Sequence, residues 1–237
     1  MLEKIKIWVE NNHHILKIIR PLYKHTLQKY FIYKQTKLFN TYNTELLANI
    51  NLAFNDLNIE YWLDFGTLLG ALREGKFIEH DRDIDLGILG IPSSSQRDKI
   101  LETLSKYGFE RKYYFMYDNI IREETYIYKG VSVDLFYYTH DNNNITGYYF
   151  LSKETNYNNI TTSERTFIPI KVTFPFNGIK NYKFLGIDTK IPINATEYII
   201  TRYGNNYLTP IKSWDNLHSP GNISVLTDEV GHYYKSK

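Results

Sequence analysis

The chain has 237 residues, enough for one medium domain with an appendage, and its 43 % apolar and 23 % charged content permits a full core. It has no cysteine, which excludes a disulfide frame, thiolate zinc ligation and cysteine nucleophiles and fits a reducing compartment. The net charge of +2 is uneven: residues 1–37 hold eight Lys and Arg against two Glu, and the remainder is slightly acidic.

No secretory signal is evident at the N-terminus, and no run of about 18 apolar residues is available to span a membrane. Residues 2–20 carry Leu2, Ile5, Val9, Leu16 and Ile19 at helical spacing. Pro21 opens a second helical stretch to about Leu38. These basic, aromatic helices are read as an extension over residues 1–43. It either packs on the protein or lies on an anionic membrane surface. No nucleic-acid motif accompanies it, so nucleic acid is not expected as a partner. His13-His14 lacks further ligands at zinc spacing.

Thr44 is expected to cap the next helix, with Leu46, Leu47, Ile50, Phe54 and Leu57 as its buried stripe and Asn58 at its end. Residues 59–64 read as a strand, and Thr67 to Arg73 as a short helix starting directly after Gly66. A turn at Gly75 leads to an extended stretch over residues 81–89. Asp81, Asp83 and Asp85 fall at alternate positions there, so a strand would put all three on one face. Like charges that close repel, and a divalent cation carrying a phosphorylated substrate is the natural counter-charge.

Pro92 and Ser93 to Ser95 start another helix, stopped at Gly108. Strands are predicted over residues 109–117, 120–128 and 131–138, with Lys129-Gly130 as a hairpin turn. On the last strand Val131, Val133, Leu135 and Tyr137 share one face, and Ser132, Asp134, Phe136 and Tyr138 the other. Asp141 to Asn144 reads as a polar loop and residues 145–192 as irregular β structure with a turn at Asn177-Gly178. Asn194 is expected to cap a helix over residues 195–203 that Gly204 stops. The tail, with Trp214, His218 and Pro220-Gly221, reads as loop. Tyr203 and Trp214 read as core aromatics before a base-stacking pair, and His80, His218 and His232 as bystanders.

The order helix, strand, Gly-Thr, short helix, Asp-x-Asp strand, helix, strands and a lone strand aspartate resembles the nucleotidyltransferase fold. The segment Tyr61 to Gly87, with Gly66-Thr67-Leu68-Leu69-Gly70, Arg73, Gly75 and the alternating aspartates, is similar to the LicD/fukutin family of phosphotransferases. Val133-Asp134-Leu135-Phe136 and the stretch from Ile191-Pro192 to Tyr203-Gly204 resemble it too. His80-Asp81-Arg82-Asp83 stands where many bacterial members carry Trp-Asp-Asp-Asp. Arg82 is expected on the opposite strand face.

The resemblance implies an α/β fold (α+β) with a mixed twisted sheet flanked by helices, as a catalytic domain over residues 44–237. It implies Mg2+ (or Mn2+), a CDP-linked donor, and a glycan or lipid-linked glycan acceptor. A phosphorylated alcohol would pass to a hydroxyl with release of CMP, at the cytoplasmic membrane face. In that reading Asp83, Asp85 and Asp134 hold the metal, with Asp81 as a further or supporting ligand. Asp134 is the third ligand or the base, and Arg73 or Lys76 neutralises charge on the leaving group. Gly66 and Thr67 bind phosphate, and Asp64 serves the substrate site or a structural role. The same acids also suit transfer of a nucleotidyl group from a nucleoside triphosphate, or a non-catalytic subunit that binds nucleotide or glycan.

Overall fold

A computed structural model describes residues 28–152, 164–211, 214–215 and 218–236. The expected helices before Gln28 lie outside these residues. The first described element is α1, Gln28–Asp56, a single helix of 29 residues. It runs straight through Thr44, so that residue caps nothing; its hydroxyl bonds the neighbouring Asn43 side chain. The cause is continuity of the apolar stripe: Phe39, Leu46, Leu47, Ile50, Ala53 and Phe54 are all fully buried. The helix ends before Asn58, which takes a left-handed φ of 52°.

Then come β1 (Tyr61–Leu63), α2 (Phe65–Glu74), β2 (Asp83–Leu89), α3 (Ser94–Lys106), β3 (Glu110–Tyr117), β4 (Ile120–Tyr128) and β5 (Val131–Asp141). Ser93 closes a full capping box with Gln96 at the start of α3. Lys129 and Gly130 have φ of 48° and 85°, the two positive values that a tight β4–β5 hairpin requires. After β5 follow β6 (Asn144–Ser152), β7 (Glu164–Pro175), β8 (Ile179–Phe184), β9 (Ile187–Pro192), α4 (Ala195–Tyr203), β10 (Ile223–Val225) and β11 (Gly231–Lys235).

Several expectations change. The polar loop expected over Asp141 to Asn144 is the two-residue turn of a tight β5–β6 hairpin, with Asp141 and Asn144 paired on its strands. Within residues 145–152 and 164–192 the described strands pair in order, β6 with β7 and β8 with β9. The tail contributes β10 and β11. Asn194 stands at the start of α4, but its side chain donates to the Pro175 carbonyl and to Glu197 and caps no helical N–H. Asp81 and Arg82 precede β2, so only Asp83 and Asp85 share a strand face.

The sheet is mixed. β2 and β5 run parallel, and the pairs β1–β2, β4–β5, β3–β4, β3–β11, β7–β11, β6–β7 and β5–β6 are antiparallel. One edge of β5 serves two partners: Ser132 to Tyr138 pair with β2, and Thr139 to Asp141 pair with β6. The strands β5, β4, β3, β11, β7 and β6 therefore close a ring of bonded neighbours. β1–β2 extend from it at β5, and β10 pairs with β7. Rings fill the inside: Phe115 stacks on Phe150 at 4.8 Å and meets Phe167 and Tyr233 at 5.0 and 5.5 Å. α1 covers the Val133–Leu135 side of β5, and α2 covers the other side through Phe65 against Phe136, 4.8 Å apart. The separate β8–β9 hairpin is tied in by a row of rings, Phe39 to Phe77 at 5.1 Å and Phe77 to Phe184 at 5.0 Å.

Candidate active site

The parallel register of β2 and β5 sets Asp85 directly opposite Asp134 and Asp83 opposite Ser132. On β4, Thr125 stands opposite Asp134, and Glu123 opposite Phe136. Asp83, Asp85, Asp134 and Glu123 therefore rise from one sheet face. Burial pushes the Asp85 carboxyl well above its usual range, and the charges of Asp83, Asp134, Asp64 and Asp81 push it further. Burial likewise lifts Asp134 to about 7, aided by Asp83 and opposed by a hydrogen bond from the Thr125 hydroxyl and by Lys112. Asp83 reaches solvent at the mouth of the site. Its carboxyl still lies low enough among its neighbours for lost hydration to raise its pKa, against the pull of Arg82. Glu123 is raised by burial and then by Asp134 and Asp83.

The start of α2 locks this face in place. The helix begins at Phe65, one residue before Gly66, with Asp64 as its cap. Phe65 itself takes a φ of 37°, a strained value at the strand–helix turn. The Gly66 N–H donates to Asp85 Oδ2 at 3.1 Å, and the Asp85 N–H donates to Thr67 Oγ1 at 2.9 Å. Thr67 is buried at 1 % exposure, so its hydroxyl positions Asp85. A Cβ on Gly66 would lie 3.5 Å from Asp85 Oδ2 and 3.9 Å from Asp81 Oδ1, so the glycine lies against both carboxylates. Gly70 has another task. A Cβ there would meet the Lys76 carbonyl at 2.7 Å, and its absence lets the chain return to β2.

Asp81 closes the turn before β2: its Oδ2 accepts from the Ile78 N–H at 3.0 Å and its own N–H donates to the Ile78 carbonyl. Burial raises it to about 7, and Asp83 adds to the rise. Asp64 is wholly buried. Its carboxylate accepts from the Phe65 N–H at 2.8 Å, the Tyr138 hydroxyl at 2.6 Å and the Tyr198 hydroxyl at 2.9 Å, so it ties β1, α2, β5 and α4 together. Arg73 forms a two-pronged contact with Glu74, at 2.6 and 3.0 Å. Lys76 is exposed and 4.0 Å from Glu74.

A cleft of about 370 Å³ opens over this face. Gly66, Arg73, Asp81, Asp83 and Asp85 line it, as do His80, Tyr149, Arg202, Tyr203 and Trp214. Tyr203 and Trp214 contact each other at 4.8 Å, so the pair forms a wall of the cleft. Sequence reasoning passed over Arg202, Tyr149 and Glu123. Arg202 had a usable signal: it follows the buried Tyr198 and Ile199 by four and three residues, on the same helix face.

Among the described residues no three carboxylates or imidazoles already converge at metal-ligating geometry. The donor set nevertheless suits a hard divalent cation, because it offers only carboxylate oxygens and their mutual repulsion calls for positive charge.

In this mixed α/β fold, strand-borne carboxylates thus gather in a cleft beside the N-terminus of α2. Residues 58–194 match the family described as LicD/FKTN/FKRP, nucleotidyltransferase domain, and the chain belongs to that family. It is similar to the ribitol-5-phosphate transferase FKTN of Mus musculus, 27 % identical over 180 residues, and to that of Homo sapiens, 26 % identical over 179. Each alignment covers 76 % of this chain but 36 % of the relative, so the chain spans about a third of the length of these curated relatives.

Proposed function

We propose that the chain is a phosphotransferase that moves a phosphorylated alcohol, ribitol phosphate before others, from a CDP-linked donor to a hydroxyl of a glycan or lipid-linked glycan. The observation that carries the reading is the register of Asp83 and Asp85 on β2 with Asp134 on β5, inside the family-matched segment. The similarity to ribitol-5-phosphate transferases supports ribitol phosphate as the first group to test. In this reading the domain is of nucleotidyltransferase type, and the closed ring of strands is its elaboration.

Asp83 and Asp85, with Asp81 beside them, would hold Mg2+, and Asp134 would serve as the base. The cation, when bound, would neutralise the donor diphosphate and polarise the phosphorus that is attacked. The chain's own groups do the rest. Thr67 and the Gly66 N–H fix Asp85, and Asp64 fixes the strand–helix turn. The acceptor hydroxyl oxygen forms a bond to the phosphorus bearing the alcohol, and the bond from that phosphorus to the bridging oxygen breaks. CMP leaves with the electron pair. The hydroxyl proton would go to Asp134, which stands opposite Asp85 on the neighbouring strand. The product is a phosphodiester.

The test is incubation with CDP-ribitol, CDP-glycerol or CDP-choline and a glycan acceptor, with Mg2+ or with EDTA. CMP release that needs both Mg2+ and Asp83 supports the reading. Pyrophosphate release from a nucleoside triphosphate, with no CMP from any CDP-alcohol, makes the chain a nucleotidyltransferase instead. No turnover in any assay, and so no difference between wild type and Asp83→Ala, leaves a binding subunit.

The basic leader would bring the enzyme to an acceptor at the cytoplasmic membrane face. Tyr30, Ile32 and Tyr33 are exposed on α1 beside Lys29 and Lys34, which suits an anionic lipid surface. Among the described residues no helix is long and apolar enough to cross a membrane. The full chain should sediment with vesicles containing phosphatidylglycerol, and a chain lacking residues 1–37 should not; equal sedimentation sinks this idea.

A further inference from the structure

Two arginines line the cleft. Arg73 is engaged by Glu74, as described above. Arg202, on α4, is 4 % exposed, and its guanidinium carbon lies 4.9 Å over the Phe65 ring and 5.2 Å over the Tyr149 ring. Phenolic oxygens of Tyr149 and Tyr203 add hydrogen bonds, and Asp64 feels its field. Ring faces hold a guanidinium in position, and Arg202 lines the cleft together with both the ring of Tyr149 and that of Phe65. Burying such a cation costs free energy, which an anionic ligand entering the cleft would offset.

The neighbouring residue says which anion. Tyr203 follows Arg202 on the same helical turn and forms the aromatic wall with Trp214. The last turn of α4 and Trp214 together therefore line the cleft with a planar cation and a pair of rings, while Asp81, Asp83 and Asp85 enter the same cleft from the β2 side. A nucleotide has this arrangement of needs: a flat base, and phosphate oxygens of which a cation on the aspartates covers only some. Arg pairs with phosphate through two parallel N–H···O bonds, which Lys cannot reproduce.

We propose that Arg202 is a phosphate-binding residue of this cleft, its guanidinium taking an oxygen of the nucleotide's phosphates that the aspartate-bound cation leaves uncovered. The proposal rests on the phosphotransfer reading and adds a residue to it. It also gives α4 a function: Phe65, at the strained start of α2, and Tyr149, on β6, are the rings that aim the guanidinium.

Isothermal titration of the full chain with Mg2+ and three probes (cytidine, CMP and CDP-ribitol) tests it. In wild type, affinity rises from cytidine to CDP-ribitol. Arg202→Lys should lower CDP-ribitol affinity at least tenfold and leave cytidine affinity within about twofold, with an unchanged circular dichroism spectrum. Equal CDP-ribitol affinity in wild type and folded Arg202→Lys overturns the proposal and leaves the phosphotransfer reading standing. Wild type that binds none of the three overturns both. If Arg202→Lys does not fold, the Nε–H resonances of 15N-labelled wild-type protein decide. Saturating CDP should shift one buried arginine Nε resonance that cytidine leaves in place, and an unmoved set overturns the proposal.

Discussion

At the scale of single residues, Gly66 and Asp64 separate what the site does from what holds it. Gly66 lies inside a helix with ordinary backbone angles, so alanine there gains about 1 kcal/mol of helix propensity. The added methyl meets Asp85 Oδ2 at 3.5 Å, an ordinary contact, but it fills space against the two carboxylates. Gly66→Ala should keep or raise the melting temperature while CMP release falls more than tenfold; unchanged release would show that this space is not used. Asp64 is the opposite case, since its oxygens face the protein. Burial raises its pKa to about 6, above the ordinary 3.8. A carboxyl raised on folding costs nothing below the lower value, where folded and unfolded chains are both protonated. The cost grows between the two values and is complete above pH 6, at roughly 3 kcal/mol for a shift of this size. Asp64→Asn removes the titration and keeps an oxygen for the Phe65 N–H. Urea unfolding in EDTA should therefore show wild type losing stability relative to Asp64→Asn as pH rises from 4 to 7. A constant difference would mean that Asp64 does not titrate in this range.

At the scale of elements, β2 is placed by a missing side chain. A Cβ on Gly87 would come within 2.2 to 2.6 Å of three atoms of the Trp62 indole, which is itself 1 % exposed and cannot retreat. Gly87→Ala must push β2 from β1, at a cost of about 1–3 kcal/mol or more. Asp85, two residues away, moves with the strand, so both melting temperature and CMP release should fall, unlike Gly66→Ala. A stable, active variant would contradict the packing. Much of this element was legible in sequence. The alternation of Asp83 and Asp85, the helix start at Ser93 to Ser95 and the Lys129-Gly130 turn are local signals, and local geometry obeyed them. Reading failed where a local signal met a longer-range one. Thr44 looks like a cap, but the stripe from Phe39 to Phe54 holds the helix together across it. Asp81 alternates with Asp83 and Asp85, but its hydrogen bonds with Ile78 fold it into a turn. Arg202 was passed over because a charged residue near a helix end reads as solvent-exposed, whereas here Phe65 and Tyr149 surround it.

At the scale of the molecule, the ring of strands depends on the last residues described. β11 spans only Gly231–Lys235, yet it bonds β3 along residues 113–116 and β7 along residues 164–167. Pairing partners 64 to 122 residues away in sequence leave no local trace, so the tail read as loop. Removing β11 would open two sheet edges at once and expose the ring's aromatic filling, because Tyr233 packs on Phe115, Tyr113 and Phe167. The carboxylate face lies two strands along the same sheet: β3 pairs with β4, and β4 with β5, where Thr125 orients Asp134. A chain ending at residue 226 should therefore aggregate or bind a dye for exposed apolar surface, and its soluble fraction should lose CMP release. Tyr233→Ala, which keeps the backbone ladder and removes the ring, should be milder, soluble but with a lower melting temperature. If the truncated chain stays soluble, melts as wild type does and retains CMP release, the closed ring does not support the site, and β1, β2, β4 and β5 with their helices suffice to hold it.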